Sequence, residues 1–89
     1  MANTSFPTAS TVIRRLVKLG IEAVPGYKFT NHAGFYVHPG MAHYRGPVVQ
    51  VHGDNAQWLT TELAKLLDEN GWNVEHSGVV TVRINSIPR

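Results

Sequence analysis

The chain uses one pattern of apolar and polar positions twice. Residues 12–24 read as an amphipathic helix, a glycine stop and an alternating run, and residues 63–75 repeat that order. A glycine and a run rich in β-branched or aromatic residues follow each copy, at residues 34–37 and 78–82. This internal repeat predicts two helix–strand–strand units.

The first predicted helix begins after a hydroxyl residue and ends at a glycine. Thr8 or Ser10 can cap it, because a hydroxyl oxygen accepts an unpaired backbone N–H of the first turn. Gly20 ends it, since glycine enters the left-handed conformation without steric penalty. The predicted apolar stripe consists of Val12, Ile13, Leu16 and Val17, with Arg14, Arg15 and Lys18 pointing away from it.

The second predicted helix has a similar start and stop. Asp54 is expected to cap it, with Gln57 three residues later completing a variant of the capping box. Gly71 ends it. Leu59, Leu63, Leu66 and Leu67 form its predicted core stripe, flanked by Trp58. Trp58 and Trp72 are both interpreted as residues at the edge of the core.

Strand patterns fill most of the remaining chain. Strands are predicted at 35–38, 48–52, 72–76 and 79–84, with Ser77-Gly78 as a two-residue turn and a further short edge strand expected at 21–24. Residues 27–33 carry no clear pattern. The elements predict an α+β fold of order α-β-β-α-β-β, with both helices on one face of a largely antiparallel sheet. Residues 1–89 are predicted to form a single domain, with 1–8 and 86–89 flexible.

Composition narrows the functional classes. The chain has no cysteine, so disulfide and thiolate chemistry are excluded. No stretch approaches the ~18 apolar residues of a membrane span, and the N-terminal residues lack the basic start and apolar run of a signal peptide. We therefore expect a cytoplasmic protein that does not act at a membrane.

Charge is sparse and unevenly distributed. Charged residues make up 16% of the chain, below the usual ~25%. Residues 1–45 carry five basic residues and one acidic residue, a net charge of +4, whereas residues 46–89 carry three basic and five acidic residues, a net charge of −2. Such asymmetry is typical of a basic face for nucleic acid or for an acidic partner, and it also arises by chance in a chain with so few charges.

Alternation along the strands assigns residues to two faces of the sheet. The inward face, towards the helices, is expected to consist of Phe35, Val37, Val49, Val51, Trp72, Val74, Val80, Val82 and Ile84. The face away from the helices is expected to be open, because antiparallel sheets commonly leave one face in water. The candidate contact surface on this face and in the connection 39–46 consists of Tyr36, His38, Gln50, His52, Arg83, His43, Tyr44 and Arg45. Arg14, Arg15 and Lys18 form a candidate electrostatic flank. Aromatic and basic residues on an open sheet face can stack bases and bind phosphates, and an ordinary polar surface or a dimer face is the alternative.

Motifs for catalysis or cofactor binding are not found in the sequence. Five histidines could suggest a metal site, but His32, His38, His43, His52 and His76 show no HxH or HxxxH spacing. The chain has no GxSxG elbow, no P-loop and no dinucleotide fingerprint. We therefore expect no catalytic residue, no metal and no cofactor.

Residues 12–71 resemble the HicA toxin family, small mRNA interferases with a double-stranded-RNA-binding-like fold. The similarity lies in the helix, Gly20, the strand near Gly34 and the run Val49-Gln50-Val51-His52-Gly53 before a capped helix. That family carries its catalytic histidine in a Gly-Ser-His run, where this chain reads Ala33-Gly34-Phe35-Tyr36. The resemblance implies RNA cleavage through a neighbouring histidine, His32 or His38.

A looser resemblance covers nearly the whole chain. The short length, the doubled helix–Gly–strand unit and the Gly-Phe-x-Val and Val-x-Val runs are similar to small accessory proteins of actinobacterial phages. It implies a non-enzymatic protein, encoded by a phage or mobile element, that binds a host macromolecule.

The expected function is thus that of a small binding or inhibitory module acting by protein–protein contact with a host or phage protein. Binding of nucleic acid and HicA-like cleavage of RNA are the alternatives. A homodimer is also compatible with the sequence.

Overall fold

The computed structural model describes residues 6–29, 32–40 and 44–88. Within this part of the chain the helices are α1 (Ala9–Lys18) and α2 (Ala56–Glu69), and a short 3-10 helix spans Gly26–Lys28. The strands are β1 (Ala23–Pro25), β2 (Gly34–His38), β3 (Val48–His52), β4 (Asn73–Ser77) and β5 (Thr81–Ser86). Neither of these helices has the length and apolar character needed to cross a membrane.

The five strands form one sheet in the order β1-β2-β3-β5-β4. β1 runs parallel to β2, and the other neighbouring pairs are antiparallel. The predicted α+β class and the largely antiparallel sheet are confirmed. The predicted order α-β-β-α-β-β is wrong, because the short run after Gly20 joins the sheet as β1 and gives three strands between the helices.

Both helices pack on the same face of the sheet. The predicted stripes supply the buried helix residues Val12 and Leu16 of α1 and Leu63 and Leu67 of α2. From the sheet, the core receives Val37, Val49, Val51, Val82 and Ile84, and all of these residues belong to the predicted inward face. Val17, assigned to the α1 stripe, is instead exposed, because it lies off the arc that Val12 and Leu16 turn towards the sheet.

The repeated pattern corresponds to repeated geometry at the helix ends. Gly20 and Gly71 have φ of 89° and 85°, in the left-handed region that favours glycine. The amide after each glycine donates to a carbonyl five residues earlier, Ile21 to Leu16 and Trp72 to Leu67, both at 2.9 Å. This pairing satisfies a helix-end carbonyl and turns the chain back towards the sheet. Each helix is then followed by an edge strand, β1 or β4.

The two units differ after their edge strands. β4 turns directly into β5 as an antiparallel hairpin. β1 runs parallel to β2, so the chain must return to the start of β2 through residues 26–33. The hairpin turn is longer than expected, since β5 begins at Thr81 and not at Val79.

Only one of the two predicted helix caps is confirmed. Thr8 caps α1, because its Oγ1 accepts the backbone N–H of Thr11 at 3.2 Å. The prediction that Asp54 caps α2 is wrong. Asn55 occupies the N-cap position of α2, and no side-chain hydrogen bond caps that helix.

Candidate functional site

The sheet face opposite the helices was expected to be open, but residues 26–29 cover part of it. Phe29 packs edge-on against Tyr36 and against His52, with ring centroids 5.0 Å apart in each pair. Tyr36 is only 4% exposed, and its hydroxyl donates to the His32 carbonyl oxygen at 2.8 Å. The expectation of an exposed Tyr36 is therefore wrong, and its ring is not accessible for stacking on a ligand.

His38 is covered by the same return of the chain. Its ring lies against Gly26 so closely that a Cβ at Gly26 would be 2.3 Å from Nδ1 of His38. Nε2 of His38 also lies 3.1 Å from Oε1 of Gln50, within hydrogen-bonding distance. Val48, on the same sheet face, is buried as well. These neighbours leave His38 and Gln50 only partly exposed.

A second cluster holds the end of the β2–β3 connection on this face. The Tyr44 hydroxyl donates to the Ile84 carbonyl oxygen at 2.7 Å. The guanidinium carbon of Arg83 lies 5.1 Å from the centroid of the Tyr44 ring, and Nη1 of Arg83 is 3.9 Å from Oε1 of Glu75. Phe6 also packs edge-on against Tyr44. Arg83 and Tyr44 thus have structural partners within the chain.

Stability should depend on pH through Tyr44. Burial raises the pKa of the Tyr44 hydroxyl from its ordinary value of 10.0; Glu75 raises this pKa further, and Arg83 opposes the change. Because this pKa is higher in the folded chain than in the unfolded chain, the neutral Tyr44 hydroxyl stabilises the fold. The contribution is complete below the unfolded-state pKa and is lost as pH rises through the folded-state pKa. At pH 7, Tyr44→Phe should lower the free energy of unfolding by about 0.5–1.5 kcal/mol, because a hydrogen bond is lost.

Urea unfolding of the wild type and of Tyr44→Phe between pH 7 and 11 measures this dependence. The stability difference between the two proteins should stay constant up to about pH 10 and shrink above it. Taking the difference removes the pH effects that the two proteins share. A difference that grows above pH 10 would contradict the direction of the pKa shift.

The remaining predicted contact residues do not form one surface. Arg14 and Lys18 are exposed on α1, whereas Arg15 donates from Nη1 to the Pro88 carbonyl oxygen at 2.7 Å. Arg45 is exposed beyond the start of β3. His43 lies outside the described residues. Among the residues described, the basic side chains are therefore spread over several elements.

The histidines do not gather into a metal site. No three His, Cys, Asp or Glu side chains in the described segments are placed to hold a metal ion together. His32 precedes β2, and His38 ends it, so the two histidines suggested by the HicA resemblance lie at opposite ends of that strand. In the β2–β3 register, His52 lies across from Gly34.

Three neighbouring clefts open along one end of the sheet, where β1 and β2 begin and β3 ends. Their volumes are about 670, 580 and 410 Å³, and Ala33 lines all three. We call this region the cleft end; it is lined by residues 20–22, Val24, residues 33–36, residues 51–56, Leu59 and Val80. Phe35, only partly buried, lines two of the clefts.

Exposed apolar side chains surround the cleft end. Val24 lines the largest cleft and is 37% exposed. Phe29, 39% exposed, packs on His52, and Val79, 60% exposed, is adjacent in sequence to the lining residue Val80. The charged lining residues are the acids Glu22 and Asp54, and the described lining contains no lysine or arginine. The cleft end is thus apolar at its rim and acidic in its lining.

Sequence reasoning missed this region for two reasons. Phe29 lies in residues 27–33, which have no periodicity, although two aromatics around Lys28 were a signal that this segment packs on something. Val79 was assigned to a strand and instead lies in the turn before β5. No single motif marks the cleft end, because its lining comes from several separate parts of the chain.

Comparison of the chain with protein-family models, with curated proteins and with solved structures finds no match. The two resemblances suggested by the sequence therefore stay predictions.

Proposed function

We propose that this chain is a small non-enzymatic binding module that acts on a host or phage protein through the cleft end. The observation that carries the proposal is the convergence of three clefts and three exposed apolar side chains, Val24, Phe29 and Val79, at one end of the sheet. Exposed apolar groups beside concave surface are typical of protein-binding sites.

The lining also indicates the chemistry of the partner. Phe35 and Leu59 offer apolar surface for an anchoring side chain, and buried anchors in pockets supply much of the affinity at protein interfaces. Glu22 and Asp54 favour basic groups around such an anchor. The expected partner segment therefore combines an apolar anchor with lysine or arginine.

Charge also argues against nucleic acid as the partner at this surface. Nucleic-acid affinity depends on lysine and arginine facing the phosphates. The charged side chains of the described lining are acidic, and Tyr36, the expected stacking residue, is buried. A protein partner is favoured on both counts.

Site-specific photo-crosslinking tests the proposal in cells that naturally carry the chain. A benzophenone amino acid would replace Val79 in one variant and Phe29 in another, and a third variant would carry it at Arg45, which is exposed beyond the opposite end of β3. We expect the variants at 79 and 29 to give the same crosslinked protein, unchanged by nuclease treatment, with at least about tenfold less product at 45.

Three results would overturn the proposal. Crosslinking mainly at position 45 would move the interface to the β2–β3 connection. Crosslinked product that is lost after nuclease treatment, or RNA cleavage by the purified wild type, would favour the nucleic-acid alternatives. Val79→Lys provides an independent check, since it removes an exposed apolar group and places a positive charge opposite a basic partner, which should weaken capture of the crosslinked partner without unfolding the chain.

A further inference from the structure

The outward face of α1 is basic and carries an exposed apolar side chain. Arg14 and Lys18 are exposed and four residues apart, so they lie on one side of the helix. Val17 lies beside them and is 55% exposed. Arg14 makes one long hydrogen bond, from Nη2 to Oγ1 of Thr11 at 3.4 Å.

The outward face of α2 is acidic and carries an exposed tryptophan. Trp58 is 62% exposed, and Glu62 and Glu69 follow it at helical spacing on the side away from the sheet. Lys65 lies between the two glutamates, and Asp68 adds a third acid. The net charge of this face is therefore negative, with Trp58 at one end.

These opposite charges have no partners within the described chain. In residues 6–29, 32–40 and 44–88, the one ion pair within 4.0 Å joins Arg83 and Glu75, both on the other side of the sheet. The cations of α1 and the acids of α2 both face outwards, because both helices turn their buried residues towards the same face of the sheet.

Two-fold symmetry can bring the two faces together. A two-fold axis that runs between α1 and α2, parallel to the helix layer and just outside it, places α1 of one copy against α2 of the other. The same operation places α2 against α1, so both contacts join opposite charges. It also brings the exposed Trp58 ring near the cations of α1, and tryptophan is the best partner for a cation–π contact.

We propose that two copies of this chain associate through the outward faces of their helices, with α1 of each copy on α2 of the other. The partner of each helix face is a second copy of this chain, because the charge that complements each face lies on the other helix of the same chain. The dimer is argued from the outward helix faces and not from the three clefts, so it goes beyond the proposed function and does not rest on it.

Charge reversal tests the dimer directly. One variant reverses α1 with Arg14→Glu and Lys18→Glu, and a second reverses α2 with Glu62→Lys and Glu69→Lys. Sedimentation equilibrium at low salt should give a dimer for the wild type and at least about tenfold weaker association for each variant alone, because like charges then face each other. A 1:1 mixture of the two variants should form a heterodimer, since both of its contacts again join opposite charges.

A chain that carries all four reversals is the matched control. It should dimerise like the wild type, and Trp58 emission should shift to shorter wavelength as the concentration rises and the ring is covered. A wild type that is monomeric at 100 µM protein in low salt would overturn the proposal. So would a dimer that both reversals leave unchanged, because association would then use another surface. Circular dichroism checks that each variant is folded.

Discussion

Trp72→Ala should lower the free energy of unfolding by about 3–5 kcal/mol, whereas Trp58→Ala should change it by less than about 0.5 kcal/mol. Trp72 is 4% exposed and packs in the core, so its removal leaves a large cavity. Trp58 is 62% exposed on α2, and its removal leaves none. For a domain with a total stability of about 5–15 kcal/mol, the first change brings the fold close to unfolding.

Urea denaturation of both variants at 1 µM protein separates these effects from self-association. Low concentration matters, because a dimer that covers Trp58 would add concentration-dependent stability to the wild type. Tryptophan fluorescence supplies a second readout, since Trp58→Ala leaves a buried emitter and Trp72→Ala an exposed one. Equal losses of stability in the two variants would contradict the difference between a buried Trp72 and an exposed Trp58.

The parts of the fold that could be predicted are those determined by residues close together in the sequence. The repeat predicted both helices and their C-terminal ends, because a glycine in the left-handed conformation is a local requirement visible at Gly20 and Gly71. Alternation gave the inward residues of β2, β3 and β5, because a half-buried strand repeats every two residues. These signals suffice for the α+β class.

A short edge strand was expected at 21–24, and β1 overlaps it, but the parallel pairing of β1 with β2 was beyond such local signals. Its three residues include Pro25, and the pattern gave no direction for its pairing. Residues 26–29 cover part of the second face, where Phe29 packs on Tyr36 and His52. No periodicity marks this segment, and the contact with His52 joins residues far apart in the sequence, so local patterns do not reveal it.

The same contacts explain why only part of the candidate surface was foreseen. Strand alternation correctly separates Tyr36, His38 and Gln50 from the inward face, but it cannot say whether another segment covers them. Tyr44 was assigned to a contact loop, and the structure instead joins its hydroxyl to Ile84. The cleft end remained unpredicted because it depends on how loops meet at one edge of the sheet.

Tyr36 gives the second large expected effect. Tyr36→Ala should lower the free energy of unfolding by about 3–5 kcal/mol, as expected when a buried aromatic ring is lost. The ring is 4% exposed and meets Phe29 edge-on, so its removal takes away the support of residues 26–29 on the sheet. Tyr36→Phe should lose about 0.5–1.5 kcal/mol, because only the hydrogen bond to the His32 carbonyl disappears.

Tyr27→Ala is the matched control, because Tyr27 belongs to the covering segment yet is 85% exposed. Its free energy of unfolding should stay within about 0.5 kcal/mol of the wild-type value.

Urea denaturation measures the stability of all three variants. Tyr36→Phe should still crosslink its partner from position 79, since the cleft end keeps its shape. If Tyr36→Ala folded with wild-type stability and lost partner binding, Tyr36 would be a contact residue, and the covering role of residues 26–29 would be wrong. The large loss expected for Tyr36→Ala and the small loss for Tyr36→Phe follow instead from a ring that holds the return between β1 and β2 against the sheet.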